Sequence, residues 1–358
     1  MRFERLRAET LENWIDSTSV AMRHKRRLVI AVSGYEERSS YWSKRVMRDL
    51  KPSDTTQWLV AGFTDRKEDG SRPENDRFYL DAGLNILEFP SDEESGICET
   101  VSVTLAGMLR RAPRSDIEVH IDYSSMPRSW YCSLFRKCHT LLRQRDTLFM
   151  WYVGGIYDGA EFPTAGVSDI SLFCGQPTIN PRVRTHIFGL GFDRIRASAI
   201  FRVLDPQKLV CFYGDPGVRH DYVDRVRSDN RDLLAAAQFD FAASIGNFPE
   251  AFSKIADVVR DFSRLGDVIL VPDGPKPLVL ASSLAPEFFG RRGIVSLHVK
   301  RRKDHLSHGQ NIQASGSIYG FSIAGVESNQ DAEIQLVASS HPSRSSFEQS
   351  ATEDRHTV

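Results

Sequence analysis

The apolar residues of this chain fall into short blocks separated by polar, turn-forming stretches. Over residues 1–25, Phe3, Leu6, Leu11, Trp14 and Ile15 fall on one side of a helical wheel, which predicts an amphipathic N-terminal helix. The basic cluster "RHKRR", Arg23 to Arg27, reads as a solvated lead-in to the first strand of an α/β unit. Leu28 to Val32 are all apolar, and a glycine, Gly34, closes the run. Continuous apolar runs of this length suit strands buried on both faces, as in parallel sheets. A helix-like "SYWSKRVMRDL" comes next. "TQWLVAGFTD", "LNILEFP", "DIEVHIDYS" and "TLFMWYVGG" read as further strands, with helical "ETVSVTLAGMLRRA" and "RSWYCSLFRKCHTLLRQR" before and after "DIEVHIDYS". Strands alternating with helices predict an α/β fold with a mostly parallel sheet.

Residues 156–184 are rich in glycine and proline and read as a connector, after which the scheme starts again. "THIFGLGFDRIRA" leads into helical "SAIFRVL". "QKLVCFYGD" and "AAQFDFAAS" read as strands and "EAFSKIADVVRDFSRL" as a helix. "DVILVPDGPKPLVLASSLA" is strand, turn and helix, and "GIVSLHVKR" is another strand. The expected fold is therefore two Rossmann-like units, at 26–155 and 185–325. "QNIQASGSIYGFSIAG" is expected as a hairpin closing the second sheet. The polar stretch 326–358 lacks apolar mass and reads as a disordered tail.

The halves echo one another, which points to an internal duplication. Gly34-Tyr35-Glu36 matches Gly191-Phe192-Asp193. Gly62 and Gly214 end the next strands, and Arg72 with Asn75 matches Arg227 with Asn230. Asp122 with Pro127-Arg128 is paired with Asp273 and Pro275-Lys276. Glycine and aspartate are 88 residues apart in the first half and 82 in the second.

Composition narrows the functional classes. The 358 residues carry a formal net charge of −1, so an extended nucleic-acid-binding surface is not expected. Five cysteines, Cys98, Cys132, Cys138, Cys174 and Cys211, form no C-x-x-C pair, which argues against structural zinc and for reduced thiols in a cytoplasmic protein. No signal peptide or membrane-spanning run is read in the chain. The phosphate-loop and dinucleotide motifs are absent, "GLGFDR" lacking the third glycine, and no cofactor is expected. His305 and His308 have no companion ligands in sequence, so no metal site is expected either.

In an open α/β sheet, ligands lie beyond the carboxyl ends of the strands, where the echoed residues fall. Gly34 and Gly191 permit close backbone approach. Arg38, Arg128 and Lys276 could hold phosphate or carboxylate, and Ser124 and Ser125 could donate to the same group. Asp122, Asp193 and Asp273 could orient the loops or take ribose hydroxyls, while Asn75 and Asn230 could add hydrogen bonds. Glu36 and Asp122 are the candidate acid–base pair if the fold brings them together. The plain alternatives are helix caps for the serines, first-turn acids for the glutamates, and an Arg128–Asp122 pair within one turn.

The units "IDYSSMPRSW" and "VPDGPKPLVL" resemble the ligand-binding turn of CARF domains, the Rossmann-like sensors of prokaryotic defence systems that bind cyclic oligonucleotides. The positions that match are Ser124, Ser125, Arg128 and Lys276, with Gly34 and Gly191 at the other family turn. Two fused copies resemble the paired units of SAVED sensors. The resemblance implies a sensor of an anionic nucleotide-like ligand that works with an effector protein or as a homodimer. The turn here is poorer in Gly and Thr than the family's. The alternatives are an enzyme that cleaves or transfers a phosphate or glycosidic group of a nucleotide, and a scaffold subunit of a larger complex.

Overall fold

In the computed structural model, the described residues are 6–21, 25–65, 67–157, 166–179, 183–216, 219–301 and 312–325. His305, His308 and the polar tail lie outside them. The chain begins with strand β1 (Leu6–Thr10) and helix α1 (Leu11–Ala21), so the expected N-terminal helix is preceded by a strand. The first Rossmann-like unit is β2 (Lys25–Ser33), α2 (Tyr41–Val46), β3 (Thr56–Phe63), α3 (Arg72–Asp81), β4 (Ile86–Phe89), α4 (Ser95–Arg111), β5 (Asp116–Asp122), α5 (Arg128–Leu141) and β6 (Thr147–Ile156). The connector contains a strand, β7 (Val167–Gln176). The second unit is β8 (Arg184–Leu190), α6 (Arg194–Leu204), β9 (Lys208–Asp215), α7 (His220–Asp229), α8 (Arg231–Ala236), β10 (Phe239–Ser244), α9 (Phe248–Leu265), β11 (Asp267–Val271), α10 (Lys276–Phe289) and β12 (Ile294–Arg301). Strand β13 (Gln313–Ala324) comes last.

The two sheets run β4-β3-β2-β5-β6-β13-β1 and β10-β9-β8-β11-β12-β7. The five parallel strands of each unit thus have the order 3-2-1-4-5, that of the doubly wound nucleotide-binding folds, with the switch between β2 and β5 and between β8 and β11. Leu28, Val29, Ile30 and Ala31 are fully buried in β2, as their unbroken apolar run predicts. In α9, Phe248, Ala251, Phe252, Ile255, Ala256 and Val259 are buried at helical spacing, and the side chain of Asn247 caps the helix by accepting from the Glu250 N–H.

The sixth strands are exchanged. After β6 the chain crosses to the second sheet, where β7 pairs antiparallel with β12. After β12 it crosses back, and β13 pairs antiparallel with β6 and then with β1. The segment expected to close the second sheet therefore closes the first. Its alternation marks it as a strand, but alternation carries no information about which sheet edge it meets. Phe321 of β13 stacks on Phe248 of α9 with centroids 3.8 Å apart, so a helix of the second unit packs on a strand of the first sheet. One apolar cluster runs through both units by way of α5 and α10.

The basic lead-in also differs from expectation. Arg27 is buried and donates to Glu118 at 2.9 Å, and Lys25 donates to the same carboxylate at 2.6 Å. These bonds tie the start of β2 to β5. No described helix is long and apolar enough to cross a membrane.

Candidate functional site

Both units lay the carboxyl ends of their parallel strands toward one junction, where the N-termini of α5 and α10 cross. Pro127 and Pro275 hold equivalent places just before these helices. Arg128 and Lys276, the first helical residues, each reach into the opposite unit. Arg128 donates to Asp273 Oδ1, and to the Pro272 carbonyl at 3.4 Å. Lys276 Nζ donates to the Ser124 carbonyl at 2.5 Å. The cations that sequence placed in separate turns thus meet crosswise, and Arg128 pairs with Asp273 rather than with Asp122.

The first corner is built on β2 and β5. Arg38, 1% exposed, donates through Nε to Glu36 Oε2 at 2.6 Å and through Nη1 to the Val153 carbonyl at 3.0 Å and the Tyr152 hydroxyl at 3.1 Å. Ser125 Oγ donates to the same Glu36 oxygen at 3.3 Å. Asp122, 2% exposed, accepts the Ser124 N–H at 3.0 Å and the Ser124 hydroxyl on Oδ1, while its Oδ2 is buried without a hydrogen-bond partner. Ser124 Oγ in turn accepts the Val153 N–H at 2.8 Å. The charges of both Glu36 and Asp122 act on Lys276.

The second corner repeats the first in part. With Gly34 taken as the counterpart of Gly191, since an asparagine holds the carbonyl of each, the pairing of Ile30 with Ile121 and of Ile187 with Leu270 makes Asp122 the counterpart of Val271. The sequence pairing of Asp122 with Asp273 is therefore out of register by two residues. Arg196 stands in for Arg38: it is equally buried and donates to the Val299 carbonyl at 3.1 Å, where Val299 matches Val153. It also lies 3.5 Å from Asp273. Arg196 was not among the sequence candidates because "DRIRAS" offers three basic or acidic side chains with nothing to say which turns inward.

The two asparagines act alike. Asn75 Nδ2 donates to the carbonyls of Gly34 and Glu36, both at 2.9 Å, and Asn230 Nδ2 donates to the Gly191 carbonyl at 2.9 Å. Both amides brace the glycine corners. Asp193 caps α6 by accepting the Arg196 N–H at 3.1 Å. Gly191 faces Gly274, whose Cα lies 2.9 Å from where a Cβ on Gly191 would sit, and Gly274 has φ +85°, so the second corner requires glycine twice. Gly34 faces Ser125 instead, with more room.

The junction therefore gathers the cations Arg38, Arg128, Arg196 and Lys276 with the carboxylates Glu36, Asp122 and Asp273, and Asp193 stands beside them at the start of α6. Burial pushes the Asp122 carboxyl up to about 6, against the donors of Ser124 and the charge of Lys276. Burial pulls the Lys276 ammonium down to about 7, with Glu36 resisting and Arg38 assisting. For Arg38 and Arg128, burial opposes the charge, yet Glu36 and Asp273 respectively outweigh it and hold both guanidinium groups above their ordinary value. Isolated buried charges are costly, so such a mesh survives only when its members answer one another. The crossed side chains fill the space between the corners. Beside Arg128 a crevice lined by Cys132, Phe173, Pro272, Ser283 and His298 has room for about one water. Among the described residues no cluster of three His, Cys, Asp or Glu is placed to hold a metal ion.

No protein-family model and no curated protein matches the chain. Among solved structures, the chain is similar to a type III CRISPR defence DNA nuclease activated by cyclic oligoadenylate, with a TM-score of 0.44 and 9% identity over 77% of this chain. The match spans 66% of that nuclease's length. It is also similar to UDP-GlcNAc 2-epimerase from Neisseria meningitidis bound to UDP-GlcNAc, with a TM-score of 0.20 and 10% identity, over 74% of this chain and 90% of that one.

Proposed function

We propose that the crossed junction is a binding site for an anionic, nucleotide-like ligand and that the protein is a sensor of the prokaryotic-defence type. One observation carries the reading. Lys276 is a half-buried ammonium whose hydrogen bond goes to a neutral carbonyl, at a junction where cations from both units gather. A phosphate is a better partner for that ammonium than the Ser124 carbonyl, because it adds the attraction between opposite charges to the hydrogen bond. Entry of the ligand turns Lys276 and Arg128 away from their crosswise acceptors and toward the anion. Asp273 keeps Arg196 when Arg128 leaves, so the exchange strands no carboxylate. The likeness of the two corners to CARF and SAVED turns supports the sensor role and favours a cyclic oligonucleotide as ligand.

The test is a thermal-shift screen of the full chain against nucleotides and cyclic oligonucleotides, followed by titration. A ligand at 100 times its Kd adds about 2.7 kcal/mol of stability. Losing one charge-assisted bond costs about 1.5–3 kcal/mol, so Arg128→Ala and Lys276→Ala should each weaken binding tenfold or more with the fold intact. Unchanged affinity in both variants would refute the site.

A second reading, cleavage or transfer of a phosphate or glycosidic group, has its own observation. Asp122 and Lys276 are both drawn toward neutrality, which general acid–base chemistry needs. Product that forms with the wild-type protein and vanishes with Asp122→Asn supports it; binding without turnover rejects it.

A further inference from the structure

An aromatic cluster flanks the charged junction. Tyr157 lies just after β6, Phe192 just after the Gly191 corner, and Tyr222 in the first turn of α7, which succeeds β9. All three therefore stand on the carboxyl-end side of the parallel strands, where open α/β sheets bind ligands. Their ring centroids are 5.4–6.1 Å apart and the rings meet edge to face. The cluster joins the units: the Tyr157 N–H donates to the Tyr222 hydroxyl at 2.8 Å. It also joins the junction, because the Tyr157 side chain is hydrogen-bonded to Tyr152, which accepts from Arg38. Two guanidinium groups lie against its rings, Arg219 at 4.3 Å from the Tyr222 centroid and Arg225 at 4.7 Å from that of Phe192. The three aromatic residues are half-buried, and Arg219 is exposed.

Aromatic rings beside clustered cations are how proteins hold unpaired bases, since every base has a π-face and arginine adds to the stack. Arg219 also donates to Asp221 at 2.9 and 2.8 Å, so a base that displaces it from the ring leaves its charge paired. We infer that Tyr157, Phe192 and Tyr222 form a nucleobase-stacking subsite, in which a base displaces Arg219 from the face of Tyr222 while its phosphate lies toward Arg38, Arg128 and Lys276. The inference rests on the anionic-ligand reading and adds to it the place where a base of that ligand is held.

The experiment compares linear and cyclic oligonucleotides of two to four nucleotides with abasic oligomers of equal length and charge, by calorimetric titration of the full chain. Wild-type protein should bind the base-bearing probes about tenfold or more tightly than the abasic ones. Tyr222→Leu and Phe192→Leu should erase that preference while leaving abasic affinity unchanged, and Tyr222→Phe should retain it. Equal binding of base-bearing and abasic probes by wild-type protein overturns the stacking subsite but keeps the anion site. A Tyr222→Leu variant that weakens both probe types alike also overturns it. Binding of neither type overturns both. The wild-type comparison decides the matter even where a leucine variant fails to fold.

Discussion

The two units share a topology and a way of bracing their corners, yet they distribute charge differently. In each, a buried arginine binds the carbonyl of an equivalent valine, and an asparagine holds the carbonyl of an equivalent glycine. In the first unit, the strand beside the glycine corner ends in a carboxylate, Asp122; in the second, the same register position is Val271. The first corner carries Glu36 and Asp122 and receives Lys276 from across the junction. The second carries Asp273 and receives the guanidinium of Arg128. What is common to both belongs to the scaffold. What differs leaves one side of the junction with the group least well matched, the Lys276 ammonium on a neutral carbonyl.

The strand exchange offers the most severe way to break this comparison. Ending the chain at residue 311 removes β13, which lies after the second unit in sequence but completes the sheet of the first. Such a truncation exposes the edge of β6 and uncovers Phe248. Limited proteolysis should then cut within 140–156 while the second unit remains the more protected. Cleavage confined to the second unit would mean that the strand is not exchanged.

Charge removal at the corners sharpens the comparison. Arg38→Met leaves Glu36 buried beside Ser125 and should cost about 3–5 kcal/mol, the usual penalty for breaking a buried pair. Arg196→Met leaves Asp273 with Arg128 and should cost noticeably less, about 1–3 kcal/mol. Urea denaturation of the two variants measures the gap, and equal losses would mean that Arg128 contributes nothing to holding Asp273.

The smallest effect is a pH dependence that only the first corner should show. Asp122 keeps its proton up to about pH 6 when folded, against an ordinary value of 3.8. The folded state therefore binds more protons between about pH 4 and 6, and stability falls as pH rises through that window. Lys276 gives up its proton near pH 7 when folded, against 10.5 ordinarily. The unfolded chain then holds the extra proton, so stability rises with pH from about 7 to 10. Urea midpoints at pH 4.5, 6.5 and 9 should show a minimum near 6.5, deeper in wild-type protein than in Asp122→Asn or Lys276→Met. A profile that Asp122→Asn leaves unchanged would mean that Asp122 does not titrate in this window.

Much of the fold was legible because parallel strands buried on both faces must be apolar throughout, and "RLVIAV" and "DVILV" are. Helices α3 and α7 were not legible, since "RPENDRFYLD" and "HDYVDRVRSD" offer few apolar positions to mark a face. The site was legible in kind: a corner of acids, serines and a cation was visible in "IDYSSMPRSW". Its partners were not. Arg128 faces Asp273, 145 residues away, and Lys276 faces Ser124, 152 residues away.

By itself, then, the sequence determined the local matters: which segments form the parallel strands, where glycine must stand, and that two similar α/β units succeed one another. Those matters come from side-chain periodicity and backbone sterics, which act over a few residues. Only the tertiary structure decided which sheet each sixth strand joins, which arginine turns inward at the second corner, and that the two polar corners meet. These outcomes depend on contacts between residues far apart in the chain, where burial and charge pairing choose among partners that the local pattern leaves equivalent.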